Sequence, residues 1–295
     1  MEKLVIVGTI SSVSRKIERE LKKLIAAFID FEVVQIFLVE SDSNDNTVQV
    51  LNRLKPLIPS LETVSLGNLR DHIPDRITRI RHCRNIYVEY IRNLLNVSHL
   101  DYVVVADLDG MNSKINVTSV RSCFVRSDWS VVLANQPGGY YDLLALRHGT
   151  WCPGDVMTEL RNKQIGVSRV KLHKLNLVGR IRRRLEFDHI RNNVIYSRMK
   201  VLNPYAEWVE VESGFGGLGI YRAELFASFD YSSWVQDHES EHVALSRKIR
   251  DHGGKIFINP SFINNRWNMY NVNRYFVIRQ LRQLVWDLKY RLKLN

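Results

Sequence analysis

Val103-Val104-Val105-Ala106-Asp107-Leu108-Asp109-Gly110 is the stretch that decides how the rest of the chain is read. Four small or β-branched apolar residues run directly into two aspartates one residue apart. Such a run predicts a strand buried on both faces. Acidic side chains at its C-terminal end fall where open α/β sheets bind ligands. The single intervening residue lets both carboxylates approach one hard cation. Asp107 and Asp109 are therefore candidate ligands for Mg2+ or Mn2+ held against a diphosphate.

Working outward, strands and helices alternate. Residues 4–8 predict a first strand ending at Gly8-Thr9, and Ile17, Leu21, Leu24, Ile25 and Phe28 recur at helical spacing. A second strand over 33–39 leads into the polar loop Glu40-Ser41-Asp42-Ser43-Asn44-Asp45-Asn46-Thr47, then a helix over 48–54 stopped by Pro56. A short strand at 64–66 and a helix over 79–95 precede the strand at 102–106. The second half offers strands at 130–134 and 255–259, the latter closed by Pro260, and a glycine-rich turn, Gly214-Phe215-Gly216-Gly217, entering a strand. The alternation predicts an α/β class: one Rossmann-like domain with a mostly parallel central sheet flanked by helices.

The chain has 295 residues, 45% of them hydrophobic, enough for a sizeable core. No apolar run approaches the roughly 18 residues of a membrane span. The N-terminus lacks a secretory signal pattern. Cys83, Cys123 and Cys152 are sparse, odd in number and far apart, which fits a reducing compartment without a disulfide framework. The expected location is cytoplasmic, with peripheral contact to a membrane face. The formal net charge of +11 favours polyanions: nucleic acid, an anionic membrane surface or phosphorylated substrates. No zinc-finger spacing or RNA-recognition signature is present, so no nucleic-acid partner is expected. The stretch 161–200, rich in Arg and Lys with a broken pattern, reads as a mobile or a substrate-covering segment. In 274–295, Val277, Leu281, Leu284, Leu288 and Leu292 form one helical stripe, with Arg279, Arg282, Lys289 and Lys293 on the other side. Such a helix lies on an anionic membrane surface, or docks on the domain with a solvated basic face.

The polar residues at the strand ends supply candidates for a site. Thr9 ends the first strand. Glu40 and Asp42 end the second, where acidic groups accept from a ribose or base edge, although the same loop can serve only to cap a helix. Arg79, Arg81 and Arg84 open the helix before the acidic strand and can clamp a diphosphate through forked hydrogen bonds; a basic helix surface is the alternative. Tyr141, Asp142 and Arg147 follow the strand at 130–134, as lining for a sugar pocket or as an ordinary strand with an internal ion pair. Gly216 and Gly217 are further substrate-side candidates. In Gln236-Asp237-His238-Glu239-Ser240-Glu241-His242, a carboxylate can orient or deprotonate a hydroxyl and an imidazole can meet metal or phosphate. An acidic helix N-terminus accounts for the same residues.

In their order along the chain, these pieces resemble a glycosyltransferase of the GT-A fold, and more narrowly the fungal capsule-associated α-mannosyltransferases, glycosyltransferase family 69. The matching stretches are Glu40-Ser41-Asp42-Ser43 with Asp45 and Thr47, Arg84-Asn85, Ala106-Asp107-Leu108-Asp109, and Tyr141-Asp142 through Arg147. Phe215-Gly216-Gly217-Leu218-Gly219-Ile220-Tyr221, Glu241-His242-Val243 and Ile256-Phe257-Ile258-Asn259-Pro260 complete the set, covering about residues 4–262. The resemblance implies a GDP- or UDP-sugar donor and Mn2+ or Mg2+. It places the nucleoside on Glu40 and Asp42, the diphosphate on Arg84, and the metal on Asp107 and Asp109. Glu239, Glu241 and His242 become candidates for acceptor handling. Many GT-A enzymes carry a metal-binding histidine after the last core strand. Here that neighbourhood reads Asn264-Asn265-Arg266.

The expected activity is metal-dependent transfer of a hexose, mannose in the fungal group, to a cell-surface glycan or glycolipid acceptor, with retention favoured by the resemblance. A nucleotidyltransferase acting on a sugar phosphate and a basic nucleic-acid-binding protein are the competing classes. The expected organisation is a transferase domain over 1–265, with a nucleotide-sugar half at 1–110 and an acceptor half at 111–265, and a basic amphipathic helix over 266–295.

Overall fold

The computed structural model describes residues 1–168, 177–232, 239–275 and 277–282. Its strands are β1 (Lys3–Ile10), β2 (Glu32–Glu40), β3 (Leu61–Ser65), β4 (Tyr102–Ala106), β5 (Val131–Asn135), β6 (Val209–Val211), β7 (Leu218–Arg222) and β8 (Ile256–Ile263). They form one eight-stranded sheet in the order β3-β2-β1-β4-β7-β5-β8-β6. The helices are α1 (Ile17–Ala27), α2 (Thr47–Leu54), α3 (Arg76–Leu95), α4 (Val117–Arg121), α5 (Val156–Ser168), α6 (Leu177–Val194), α7 (Ala223–Ala227) and α8 (Glu241–Asp251). This is the mostly parallel α/β architecture that the alternation predicts. Its antiparallel members are β7, against β4 and β5, and β6, against β8.

The unbroken apolar run of β4 follows from burial on both sides. Val103 and Val105 join the core on one face with Tyr87, Val88 and Ile91 of α3. Tyr102, Val104 and Ala106 join the core on the other face with Ile17, Leu21 and Leu24 of α1. Strand side chains alternate, so a two-sided core leaves no polar position inside the strand. The first hydrophilic side chains come only where β4 leaves the sheet, at Asp107.

The strand order also fixes where a ligand can sit. From β1 the chain steps outward to β2 and β3, then returns so that β4 pairs with the opposite side of β1, all in parallel. The crevice where the order reverses opens at the C-terminal ends of β1 and β4, the favoured ligand position in open α/β sheets. The antiparallel β7 brings its N-terminal end to the same edge. The Asp107 amide donates to the Gly217 carbonyl at 2.9 Å.

Three expectations need correction. Pro260 does not close the last strand. β8 continues to Ile263 across a register shift between Leu133 and Asn135, where the Pro260 carbonyl accepts from Asn135 Nδ2 at 2.9 Å. A proline is tolerated at such an irregularity because no ladder donor is required there. The described part of 161–200 does not have a broken pattern: most of it belongs to α5 and α6, packed against each other, followed by a 3₁₀ turn at Tyr196–Arg198. Charges on several sides of α6, Arg182, Arg183 and Arg184 among them, blur its helical period. Nor is 266–295 one helix. Within it lies a turn of 3₁₀ helix at Asn271–Arg274, and helix resumes over 277–282. Leu284, Leu288, Leu292, Lys289 and Lys293 of the expected stripe lie outside the described residues. Among the described residues no helix is long and apolar enough to cross a membrane.

Gly216 sits at φ +72, and a Cβ there would meet the Ala134 carbonyl oxygen at 2.7 Å. Gly253, just past α8, has φ +80 and open space around it. Gly253→Ala should therefore cost about 1 kcal/mol, the backbone penalty alone. Gly216→Ala should cost about 3 kcal/mol, because a collision with backbone adds to that penalty. Urea unfolding of the two variants checks the difference; equal losses would show that the turn yields.

Candidate active site

A cleft of about 680 Å³ opens at the switch point. Its walls come from the ends of β1 (Thr9), β2 (Ser41, Asp42) and β4 (Asp107, Asp109), from Tyr141 and Asp142, and from the start of α8 (Ser240, Glu241, His242). α3 supplies one long side. Its cleft-lining residues, Arg76, Arg79, Ile80, Cys83 and Arg84, recur at the spacing of one helical face. Arg81 falls on another face: its Nη2 donates to the Glu239 carbonyl at 2.9 Å, tying α3 to the chain before α8, and it is not part of the cleft wall.

Arg84 is the buried centre of the site. Its Nε donates to Glu241 Oε1 at 2.9 Å and its Nη1 to the Tyr87 hydroxyl at 2.9 Å. Nη2 stands 3.6 Å from Asp107 Oδ1. The guanidinium lies over the rings of Phe215 and Tyr231. Burial alone would discharge it, but Tyr87, Glu241, Tyr231 and Asp107 outweigh that and raise its pKa well above the ordinary value. Loss of one partner of such a buried pair typically costs about 3–5 kcal/mol, since the other is left uncompensated. Arg84 thus holds α3, α8 and the end of β4 together while keeping a positive charge at the cleft floor.

Carboxylates crowd the same floor. Asp107 is about one third exposed. Burial of its surroundings pushes its carboxyl up to about 7 against the pull of Arg84, with Asp109, Asp142 and Glu241 adding to the rise. Burial likewise raises Asp142 to about 6, opposed by the amides of Gly216 and Ala145. Asp142 accepts from the Gly216 amide at 3.1 Å, and the Gly216 carbonyl accepts from Gln136 Nε2 and Asn264 Nδ2. The Gly216 amide and carbonyl and the Gly217 carbonyl are thus engaged within the protein, and the two glycines hold the scaffold under Asp107. Tyr141 stacks on Tyr270, ring centroids 5.4 Å apart, to form an aromatic wall.

At the β2 end, Glu40 and Asp42 part company. Glu40 turns away from the cleft: its carboxylate accepts from the Ser43 amide at 3.1 Å and from the Ser65 hydroxyl. Asp42, at φ +58, faces the cleft. Its Oδ1 accepts from the Arg70 amide and Nε at 2.8 and 3.3 Å, and its Oδ2 lies 3.3 Å from Arg79 Nε. Burial would raise its pKa, but these contacts lower it overall.

Glu239 and Arg147 meet outside the main cleft. They line a second, polar cavity of about 550 Å³ with Asp155 and Arg247. Arg147 Nη2 is 3.2 Å from Asp155 and 3.4 Å from Glu239, whose other oxygen is 3.3 Å from Arg247. Only Glu241 and His242 of the three acceptor-handling candidates reach the main cleft. His242 stacks on Phe215 at 3.8 Å, and among the described residues neither ring nitrogen has a hydrogen-bond partner. Gln236, Asp237 and His238 lie outside the described residues.

The sequence reading did not single out Arg70, Arg76 or Tyr270. A signal for Arg76 existed: Asp75 caps α3 by accepting from the Thr78 amide at 2.7 Å, which starts the helix three residues before the expected position. Tyr270 follows β8 in irregular chain, where no period can place it.

Asp107 and Asp109 fit a hard divalent cation by donor chemistry: carboxylate oxygens, one residue apart, at an open cleft floor. Among the described residues no group of three His, Cys, Asp or Glu side chains could hold a metal. Two carboxylates leave coordination positions for water and a ligand's own oxygens.

No protein-family model and no curated protein matches the chain. Solved structures resemble it at low identity. Mannosyltransferase PcManGT from Pyrobaculum calidifontis, in complex with GDP-Man and Mn2+, is 12% identical with a TM-score of 0.48, over 90% of this chain and 58% of that one. TarS of S. aureus is 13% identical with a TM-score of 0.41, over 90% of this chain and 60% of that one. Glucosyl-3-phosphoglycerate synthase from Mycobacterium tuberculosis, in complex with UDP, is 14% identical with a TM-score of 0.39, over 90% and 69%. The chain thus spans about three-fifths of the first two.

His242 generates a prediction with a definite sign. Burial, then the charge of Arg84, lowers its pKa well below the ordinary 6.5. The unfolded chain takes up a proton as pH falls through about 6.5 and the folded one does not, so stability at this position is lost on the acid side. His242→Phe keeps a stacked ring and titrates nothing. The melting temperature of the variant, minus that of the wild type, should grow between about pH 8 and pH 5.5. The raised carboxyls of Asp107 and Asp142 act in the opposite sense but are common to both proteins. A pH-independent difference in calorimetry would contradict the neutral, buried imidazole.

Proposed function

We propose that this protein is a glycosyltransferase that moves a hexose from a nucleoside-diphosphate sugar to a glycan or lipid-linked acceptor in a metal-dependent reaction. One observation carries the proposal: Asp107 and Asp109 stand at the floor of a switch-point cleft with a buried, permanently charged Arg84 beside them. Cleavage of a glycosyl–phosphate bond builds negative charge on the departing diphosphate. Preorganised positive charge at that place lowers the barrier more than it stabilises the bound donor. A divalent cation on Asp107 and Asp109 would supply Lewis-acid stabilisation of the departing diphosphate.

The chain's own residues supply the rest. Asp42, held ionised by Arg70 and Arg79, is positioned for donors of the nucleoside, and Thr9 lies between it and the acidic pair. Arg79, Arg76 and Arg84 line one side of the cleft, where phosphate oxygens would pass. Tyr141 and Tyr270 offer a flat apolar wall suited to a sugar ring, and Glu241 with His242 supplies the acceptor side of the same cleft. Retention, mannose as the sugar and a cell-surface product are what the family resemblance adds. A cytoplasmic location belongs to the same proposal.

A thermal-shift series with GDP and UDP, each with and without Mn2+, tests the site by mass action. The preferred nucleoside diphosphate should raise the melting temperature by several degrees only with Mn2+ present. Asp107→Asn should abolish that response and lower donor turnover by about 10²-fold or more, the usual scale for loss of a preorganised charge. Full response and turnover in Asp107→Asn and Asp109→Asn would remove the metal role.

A further inference from the structure

We propose that residues 266–275 and 277–282 form an interfacial surface that seats the mouth of the cleft on an anionic lipid bilayer. This rests on the transferase proposal in one respect only, the identity of the cleft that the surface borders.

The segment is anchored and its apolar side faces out. Arg279 donates to both carboxylate oxygens of Asp188 on α6, at 3.0 and 3.1 Å, and lies over the Tyr196 ring. The basic residue expected on a solvated face is thus buried. The apolar residues of the same helical turn, Val277 and Leu281, are 66% and 57% exposed. A helix docked on the domain in the ordinary way would show the reverse burial.

Other exposed apolar groups belong to the same segment. Trp267, Met269, Tyr270 and Tyr275 are all exposed. The Trp267 and Tyr275 rings touch, 6.1 Å between centroids, and the Met269 carbonyl accepts from Arg282 Nη1 at 2.8 Å, joining the two ends of the segment. Arg266 lies over Trp267 and Arg274 over Tyr275. Exposed apolar groups gathered in one segment in this way mark an interaction site. Indole and phenol rings interleaved with arginines match the headgroup region of a bilayer, where amphipathic rings sit at the boundary and guanidinium groups meet anionic phosphates. Charge complementarity with the chain's +11 favours an acidic leaflet over a protein partner.

The position gives the surface a use. Tyr270 belongs both to the patch and, through its stack on Tyr141, to the cleft wall. A bilayer against this surface would hold a membrane-bound acceptor at the mouth of the cleft, which Tyr270 borders.

Co-sedimentation of the full chain with vesicles tests this. Wild-type protein should pellet with phosphatidylcholine vesicles containing about one third phosphatidylglycerol, and far less with phosphatidylcholine alone or at high salt. A combined Met269→Glu, Val277→Glu, Leu281→Glu variant should lose about tenfold or more in partitioning. Its melting temperature and its response to Mn2+ with nucleoside diphosphate should remain those of the wild type. Wild-type protein that stays in the supernatant overturns the proposal, as does a variant that pellets equally well. A wild-type dimer in solution that the variant converts to monomer also overturns it, by assigning the surface to a second copy of the chain. Vesicle binding by a protein that ignores Mn2+ and nucleotides would support the surface and sink the transferase proposal instead.

Discussion

The guanidinium of Arg84 is the group on which the site depends. It is charged, buried and shared: Glu241 from α8 takes one hydrogen bond, Tyr87 another, and Asp107 at the end of β4 lies within ion-pair range. Without it, carboxylates from three parts of the chain would face one another in a region poor in water, and mutual repulsion would open the cleft. With it they stay close, and its charge offsets part of the rise that burial imposes on the Asp107 carboxyl. A binding site for a cation is in this sense an excess of negative charge that the protein only partly balances.

Backbone constraints complete what the charge begins. The main-chain bond between Asp107 and Gly217 fixes the first residue beyond β4 against the turn before β7. Asp142, Gln136 and Asn264 in turn hold Gly216. Asp107, although just beyond β4, is therefore held by the edge of the sheet, and Asp109 follows two residues into the loop. Sites built on strand ends hold their geometry better than sites carried on free loops.

Most of the fold is legible in the chain because the dominant forces are local and periodic. Buried strands such as 102–106 have no polar residue, and the spacing of Ile17, Leu21, Leu24 and Phe28 can bury only on one face of a helix. The acidic pair is legible for the same reason, as the abrupt end of an apolar run. Illegible features depend on which way a side chain turns once the elements are packed. Glu40 and Asp42 are equivalent as text, yet the left-handed backbone at Asp42 sends one carboxylate into the cleft and leaves the other bonded to Ser43 and Ser65. Glu239 and Glu241 are separated by a single serine but serve different cavities. Basic α6 hides its period because arginines occupy adjoining faces, and Tyr270 owes its place to a long-range stack.

The face of α3 carries a constraint of another kind. Five of its residues, from Arg76 to Arg84, reach the cleft because they share one angular position on the cylinder. Insertion or deletion of a single residue between them would rotate everything downstream by about 100° and swing Arg84 out of register with Glu241 and Asp107. Over this stretch of helix the number of residues is held as firmly in descendants of the chain as the identity of Arg84 itself.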